Sequence, residues 1–199
     1  MKTNNIEIHL REIAGFVAAF EALRLPFGKE CRSKTSGRGT FCDANFNPKE
    51  GIGYSHGVTL DSEGKDLKLM SVLVKRGDEH AKVVRGIMVY AEINAPRYWW
   101  QEMDTYRVGT DRLSSESTMH IQGKGMSEEE LVKMKAELTE GTMQKRMQMF
   151  SYQTLRRIWI QRHKHRLPHW KDFCKWIESL PYADELILVG LKDNDNEQK

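Results

Sequence analysis

Residues 94–120 are NAPRYWWQEMDTYRVGTDRLSSESTMH, the stretch from which the fold of this chain is most readily deduced. Pro96 suits the first position of a helix, because proline lacks the N–H group that is unpaired there and its φ angle is already helical. The helix predicted from Arg97 to about Val108 contains two tryptophans and two carboxylates and ends near an arginine. Charged groups buried among such aromatic side chains must be paired within the fold or bind a ligand, because an unpaired buried charge is strongly destabilising. We therefore expect the functional site in this stretch.

Three features of this helix have both a structural and a functional interpretation. Trp99 and Trp100 form a stacking wall for a ring ligand, or at least one of them belongs to the core. Arg107 binds a ligand anion, or it forms an ion pair with Asp104 or Glu102 within one helical turn. An acid and base pair made of Glu102 and Asp104 is less favoured, because helix positions two residues apart face different directions.

Hydrophobic periodicity and breaker residues predict the elements around this stretch. Ser127 and Glu130 have the spacing of a capping box, which predicts a helix start at that point. The predicted strands are Asn5–Leu10, Gly57–Leu60, Lys68–Val74 and Arg85–Ile93. The other predicted helices are Ile13–Leu25, a short one from Asp78 to Lys82, Ser127–Leu138, Met143–His165 and Trp170–Ser179.

The length and composition indicate a single folded domain. The 199 residues are 39% hydrophobic and 30% charged, and no apolar run approaches the roughly 20 residues of a membrane span. We expect one domain over residues 1–192, with a long loop at 29–57 and a disordered tail at 193–199. The N-terminus lacks a basic start followed by an apolar run, so we expect a cytoplasmic protein. Cys31, Cys42 and Cys174 lack CxxC spacing and are expected to be reduced thiols, without a disulfide or a zinc site.

The charge distribution is more informative than the net charge of +3. No acidic residue occurs between Ser151 and Lys171, a stretch that contains six arginines and lysines, whereas residues 126–140 contain five glutamates. The basic stretch completes an anionic pocket of a neighbouring subunit, follows a nucleic-acid backbone, or is a solvated helix that balances the glutamates. Its histidines, 163, 165 and 169, predict no metal site, because no carboxylate or cysteine joins them at ligand spacing.

The order of a strand at Arg85–Ile93, a proline-started helix that ends in arginine and a serine-rich turn resembles the flavin-dependent thymidylate synthases, also called thymidylate synthase complementing proteins. Their signature is RHRxxSxNExSxRY. Tyr106 and Arg107 stand at its second and third positions, and residues 114–120 stand at its NExSxRY end after about two inserted residues. The stretch LRRIWIQRHKHR, residues 155–166, is similar to the family's LRxxxHFxxLR helix. The signature is degenerate here, because Thr105, Tyr106 and Met119 replace two arginines and the histidine.

The resemblance implies an α+β fold, in which a small, mostly antiparallel sheet is packed with a helical bundle. It also implies a homotetramer with sites at subunit junctions, and hydride transfer from a reduced flavin without a cysteine nucleophile. The implied substrate-binding residues are Gln101, Arg107, Ser115, Glu116, Ser117, Arg162 and Arg166. The implied contacts to a flavin such as FAD come from His80, Arg97, Tyr106 and His120.

Two functions follow as hypotheses. The first is a remote relative of those enzymes, of phage or other viral origin, that binds a pyrimidine nucleotide such as dUMP and modifies its base with flavin. The second is a non-catalytic binding module of viral or mobile-element origin that uses residues 156–171 to bind nucleic acid or a protein partner.

Overall fold

The sheet of this protein is antiparallel throughout and small. The computed structural model describes residues 5–23, 25–27, 41–42 and 65–191. Within these residues five strands are hydrogen-bonded in the order β2-β1-β3-β5-β4, and every neighbouring pair is antiparallel. The strands are β1 (Glu7–Ala14), β2 (Phe41–Cys42), β3 (Met88–Pro96), β4 (Thr110–Ser115) and β5 (Met143–Ser151).

Helices pack against this sheet, which confirms the predicted α+β class. They are α1 (Phe16–Ala22), α2 (Lys65–Lys75), α3 (Arg97–Met103), α4 (Thr118–Ile121), α5 (Glu128–Glu137), α6 (Tyr152–Arg162), α7 (Pro168–Glu178) and α8 (Ala183–Leu186). Short 3₁₀ turns occupy Leu25–Phe27 and Lys82–Gly86. In the described part of the chain, no helix has both the length and the apolar character needed to cross a bilayer.

The core beside α3 is aromatic. Trp99 and Trp100 are both fully buried, so both belong to the core. The ring centroid of Trp99 lies 4.9 Å from that of Trp100 and 4.9 Å from that of Trp170, and 5.5 Å from that of Phe173. Edge and tilted contacts of this kind are favoured by the ring quadrupoles. This cluster holds α3 against α7 and fixes the position of the residues that α3 carries.

The predicted helix Met143–His165 is wrong in its first part, which is strand β5. Methionine, glutamine, lysine and arginine are good helix formers, so local propensity favoured a helix. In the fold, β5 pairs with both β3 and β4, and tertiary pairing outweighs the weak local preference. Ser151 then caps α6 by accepting a hydrogen bond from the Thr154 amide at 3.2 Å.

Other boundaries also differ from the predictions. Lys68–Val74 was predicted as a strand from its apolar, branched residues but lies in α2, where Met70 and Val74 are buried one turn apart. The helix that starts at Arg97 ends at Met103, earlier than predicted. Turns followed by the 3₁₀ segment replace the short helix predicted at 78–82. The predicted strand 57–60, most of the predicted loop 29–57 and the tail 193–199 lie outside the described residues.

The predicted capping box is confirmed. The Glu130 amide donates to Ser127 Oγ at 3.3 Å, and the Ser127 amide donates to Glu130 Oε2 at 2.8 Å. These reciprocal bonds hold the pKa of the Glu130 carboxyl below its usual value. Helix α5 therefore starts where its sequence predicts.

We predict that Gly15→Ala destabilises the fold more than Gly77→Ala. Both glycines have positive φ angles, +93° and +112°, but a Cβ at Gly15 would lie 1.9 Å from the Gly86 carbonyl oxygen, whereas nothing lies within 4 Å at Gly77. We expect Gly77→Ala to lower the free energy of unfolding by about 1 kcal/mol from backbone strain. Gly15→Ala should lower it by a further ~1–3 kcal/mol from overpacking. Urea unfolding measures both, and equal losses would contradict the close approach.

Candidate functional site

Polar side chains line one face of β5 beneath α3. Gln144, Arg146 and Gln148 alternate along the strand, so they share one face of the sheet. Arg146 and Gln148 are buried, at 8% and 5% exposure. Buried polar groups require partners, so this row is either structural or a site. Gln144 and Arg146 line one cavity, and Gln148 lines another.

Arg146 and Asp104 form an ion pair, and Arg146 lines the smaller cavity whereas Asp104 lines the larger one. Arg146 Nη1 donates to both carboxylate oxygens of Asp104, at 2.8 and 3.0 Å. The guanidinium also lies 4.3 Å from the ring centroid of Trp100. Burial lowers the pKa of Arg146, and the carboxylate of Asp104 opposes that shift. The pair joins β5 to the residue that ends α3.

The smaller cavity, about 260 Å³ in volume, is cationic. It is lined by Arg97, Gln101, Thr118, Lys135, Thr142, Met143, Gln144 and Arg146, which include three cations and no carboxylate. Within the described residues, the side chain of Arg97 has no hydrogen-bond or ion-pair partner. Gln101 donates to Glu140 Oε2 at 2.7 Å, and the Lys135 ammonium donates to Thr118 Oγ1. Fixed cations with spare donors are suited to bind an anion such as phosphate.

The predicted hydroxyl-rich turn lies next to this cavity. Ser115 is the last residue of β4, and Ser117 is the N-cap residue of α4. Glu116 is fixed by β5, since its Oε2 accepts from the Lys145 amide at 3.0 Å and its carbonyl accepts from Gln144 Nε2 at 3.0 Å. The segment that follows the strand therefore brings the Thr118 side chain into the cavity wall.

The larger cavity, about 440 Å³ in volume, contains Arg107. It is lined by Met103, Asp104, Tyr106, Arg107, Thr110, Asp111, Arg112 and Gln148. Arg107 makes no ion pair within the described part of the chain, because Asp104 binds Arg146 and Glu102 binds Arg162. The structure thus places Arg107 on a different cavity from Gln101 and Thr118.

Arg162 is held inside the fold. Its Nη1 donates to Glu102 Oε2 at 2.7 Å, its Nε donates to the Tyr106 hydroxyl at 2.8 Å, and its guanidinium lies 4.5 Å from the centroid of Trp170. Trp170 Nε1 donates to the same Glu102 oxygen at 2.8 Å. Glu102 and Asp104 therefore bind different arginines and do not form an acid and base pair. Arg166 is exposed and lines neither cavity.

The other central arginines of the basic stretch also have internal partners. Arg156 is buried and donates to the carbonyls of Ile187 and Val189. Arg157 Nε donates to Asp78 Oδ2 at 2.7 Å. These contacts anchor α6 to the C-terminal segment and to the turn after α2. They disfavour a continuous cationic face on residues 156–171.

The four residues predicted to contact a flavin do not gather at one cavity within a single chain. Arg97 lines the smaller cavity and Tyr106 the larger one. His80 is exposed on the turn after α2, with Nε2 3.9 Å from Glu79 Oε1. His120 is exposed on α4. Within one chain these four residues therefore do not form a single site.

Within the residues that the structure describes, neither a metal-binding group nor a reactive thiol lies near the two cavities. Among the described residues, no group of three or more His, Cys, Asp or Glu side chains could hold a metal ion. Cys174 is a free, buried cysteine, and burial raises the pKa of its thiol to about 12. Cys31 and the side chain of Cys42 lie outside the described residues.

Comparison with solved structures identifies the fold. Thymidylate synthase X from Helicobacter pylori, solved with FAD and dUMP, is 13% identical, with a TM-score of 0.61 over 92% of this chain and 97% of the other. A second structure of that flavin-dependent enzyme gives a TM-score of 0.60 at 13% identity, over 91% and 97% of the two chains. This chain has the fold of the flavin-dependent thymidylate synthases.

A further solved structure with the same fold is that of a methylase. The UMP/dUMP methylase PolB from Streptomyces cacaoi, bound with 5-Br dUMP, is 10% identical, with a TM-score of 0.57 over 92% of this chain and 94% of the other. No protein-family model matches the chain, and no curated protein sequence matches it either. At such low identity the likeness establishes the fold alone.

Several residues of the two cavities were missed by the sequence analysis. Gln144, Arg146 and Gln148 were hidden within the predicted helix Met143–His165. The alternation QKRMQM at 144–149 is the signal that could have revealed them, because alternate polar residues are typical of a strand with one covered face. Lys135 lies on α5 and no local pattern sets it apart from Lys133.

We predict that Asp104→Asn destabilises the protein by about 2 kcal/mol, because it leaves the buried guanidinium of Arg146 without its counter-charge. We take a value below the range for fully buried pairs because the Asp104 side chain is 46% exposed. Asp111→Asn, on exposed Asp111, is the control and should change the free energy of unfolding by less than about 0.5 kcal/mol. Denaturant unfolding of both variants measures the difference, and an equal response would show that the pair contributes little.

Proposed function

We propose that the protein binds a pyrimidine nucleotide and that the nucleotide's phosphate binds in the smaller cavity. The observation that carries the proposal is a cavity without a lining carboxylate whose walls include Arg97 and Lys135, two cations that have no carboxylate partner in the described residues. Arg97 has no protein partner in the described residues, and its guanidinium can donate two parallel hydrogen bonds to a phosphate. Solved structures with this fold hold dUMP or 5-Br dUMP, which supports a pyrimidine nucleotide as the ligand.

Polar groups at the edge of the same cavity suit the rest of a nucleotide. Gln101 donates to Glu140, and the Gln144 amide is bound to Glu116 and Arg146. Each amide nitrogen has a second N–H and each amide oxygen a second lone pair, which can recognise a base or ribose. The hydroxyls of Ser115, Ser117 and Thr118 lie on the segment beside them. We assign base or ribose contacts to the glutamines and additional phosphate contacts to the hydroxyls.

Assembly is part of the proposal. The resemblance to the family implies a homotetramer with sites at subunit junctions. Arg166, exposed and away from both cavities of its own chain, is then available to a site on a neighbouring copy. Light scattering of the purified protein measures the assembly directly. A monomeric protein would show that Arg166 does not contribute to a site on a neighbouring copy.

The proposal stops at nucleotide binding and includes no flavin step, because the four predicted flavin contacts are dispersed in one chain. We accordingly expect the purified protein to be colourless, without visible flavin absorbance, both as isolated and after incubation with FAD followed by gel filtration. Co-elution of FAD absorbance with the protein would show that an assembled site brings those residues together.

We predict that Lys135→Ala weakens dUMP binding at least about tenfold, because it removes a charge-assisted hydrogen bond to the phosphate. Lys133→Ala is the matched control, since Lys133 is exposed on the same helix and does not line the cavity. Titration calorimetry with dUMP and with inorganic phosphate measures both affinities. Equal affinities of the two variants would place the phosphate elsewhere.

The alternative of a nucleic-acid-binding module has less support. At the centre of its basic helix, Arg156 and Arg162 are bound to groups inside the fold, and Arg157 is paired with Asp78 at the surface. Salt-dependent retention on DNA or RNA that survives Lys135→Ala would favour this alternative over nucleotide binding.

A further inference from the structure

The chain makes a helical excursion between strands β4 and β5. It consists of α4, α5 and the turn between them, residues 117–138, and we call it the α4–α5 segment. Both of its ends are fixed to the body of the protein. The Glu116 amide donates to the Lys145 carbonyl at 2.8 Å, and the Tyr98 amide donates to the Glu140 carbonyl at 3.0 Å. The segment therefore begins and ends at points that the sheet and α3 hold in place.

Between these two ends, the α4–α5 segment is bound only weakly to the body of the protein. Neither α4 nor α5 has a buried residue, and neither packs extensively against another described helix or strand. Among the described residues, the hydrogen bonds of 118–138 all stay within the segment, including the capping box and the bond from Lys135 to Thr118. No hydrogen bond has to break for the segment to move away.

Local interactions supply most of the stability of the segment. Helix α5 has 10 residues and α4 has 4, and isolated helices shorter than about 12–15 residues are marginally stable in water. The half-buried Leu131 and Met134 pack on Gly123 of the same segment, where a Cβ would lie 2.5 Å from Leu131 Cδ1 and 3.4 Å from Met134 Cε. A unit with few buried contacts opens at a low free-energy cost. The sheet can stay folded while this segment opens.

The smaller cavity lies between this segment and the body of the protein. Thr118 and Lys135 line it from the segment, whereas the cations Arg97 and Arg146 line it from α3 and β5. The like charges on its two sides repel each other, and an anion between them attracts both. An anion in the cavity therefore favours the closed position of the segment, and an empty cavity disfavours it.

We propose that the α4–α5 segment is a lid that closes on the phosphate in the smaller cavity and opens when no anion is bound. The inference rests on the proposed function, since the phosphate is that of the nucleotide. The Lys135 ammonium has three N–H donors, of which Thr118 accepts one, so two remain for a phosphate that also binds Arg97. The phosphate then joins the segment to α3 and slows release of the nucleotide, as lid closure does.

Hydrogen–deuterium exchange of the purified protein, measured by mass spectrometry, tests the lid directly. In the ligand-free protein the amides of α5 should exchange faster than those of α6, most of whose residues are buried. At a concentration of about 100 Kd, dUMP or inorganic phosphate should slow the exchange of α5 at least about tenfold and leave α7 unchanged. In Lys135→Ala, saturating dUMP should no longer protect α5, because the link to the phosphate is removed.

Ser127→Ala tests the coupling without a change in the cavity lining. It removes the oxygen that accepts from the Glu130 amide and so weakens the start of α5. It should weaken dUMP binding about threefold in calorimetric titrations, because part of the binding free energy is then used to order α5. Ser179→Ala is the matched control, since Ser179 is an exposed serine at the end of α7 whose hydroxyl donates to the Trp176 carbonyl, and it should leave the affinity unchanged.

The lid and the proposed function fail separately. Exchange of α5 that neither dUMP nor inorganic phosphate slows would overturn the lid, even where calorimetry shows that dUMP binds and that Lys135→Ala weakens it. Ligand-free amides of α5 that exchange as slowly as those of α6 would also overturn it. Protection of α5 by inorganic phosphate, without any binding of dUMP, would support the lid and contradict nucleotide binding.

Discussion

The guanidinium of Arg146 is the group on which the arrangement of the site depends. It is buried against the ring of Trp100 and bound by both oxygens of Asp104. Because an unpaired buried charge is strongly destabilising, Asp104 must remain at this position, and α3 ends at the residue before it. The pair thus ties the C-terminal end of α3 to β5, and each of its two residues lines a different cavity.

The arginines near the site divide into two groups by their partners. Arg146, Arg156 and Arg162 lie inside the fold and are bound by carboxylates, carbonyls or aromatic rings. Arg97 and Arg107 lie on the cavity walls without such partners in the described residues. Both groups are positively charged, but only the arginines of the second group lack a partner in the described residues and are available to bind an anion. We therefore assign anion binding to the arginines that lack a partner, and not to the stretch of the chain with the most basic residues.

Local sequence signals predict the structure correctly where tertiary contacts agree with them. The capping box at Ser127 starts α5, and the proline at 96 stands at the junction of β3 and α3. The fold class, which rested on the resemblance, is confirmed by similar structures. Local signals predict the wrong element at β5, whose residues have good helix propensity but pair with strands far away in sequence. Because of that error the sequence did not indicate Gln144 and Arg146, which line the smaller cavity, or Gln148, which lines the larger one.

By itself, the sequence determined that α3 follows a strand, carries aromatic core residues and holds charged groups that need partners, because proline geometry, ring size and desolvation act locally. Only the tertiary structure decided which partner each charge takes. Arg107 follows Asp104 by only three residues, yet Asp104 binds Arg146, which is 42 positions further along the chain than Asp104. The pairing of strands that are distant in sequence sets these contacts, and no local pattern of residues records it.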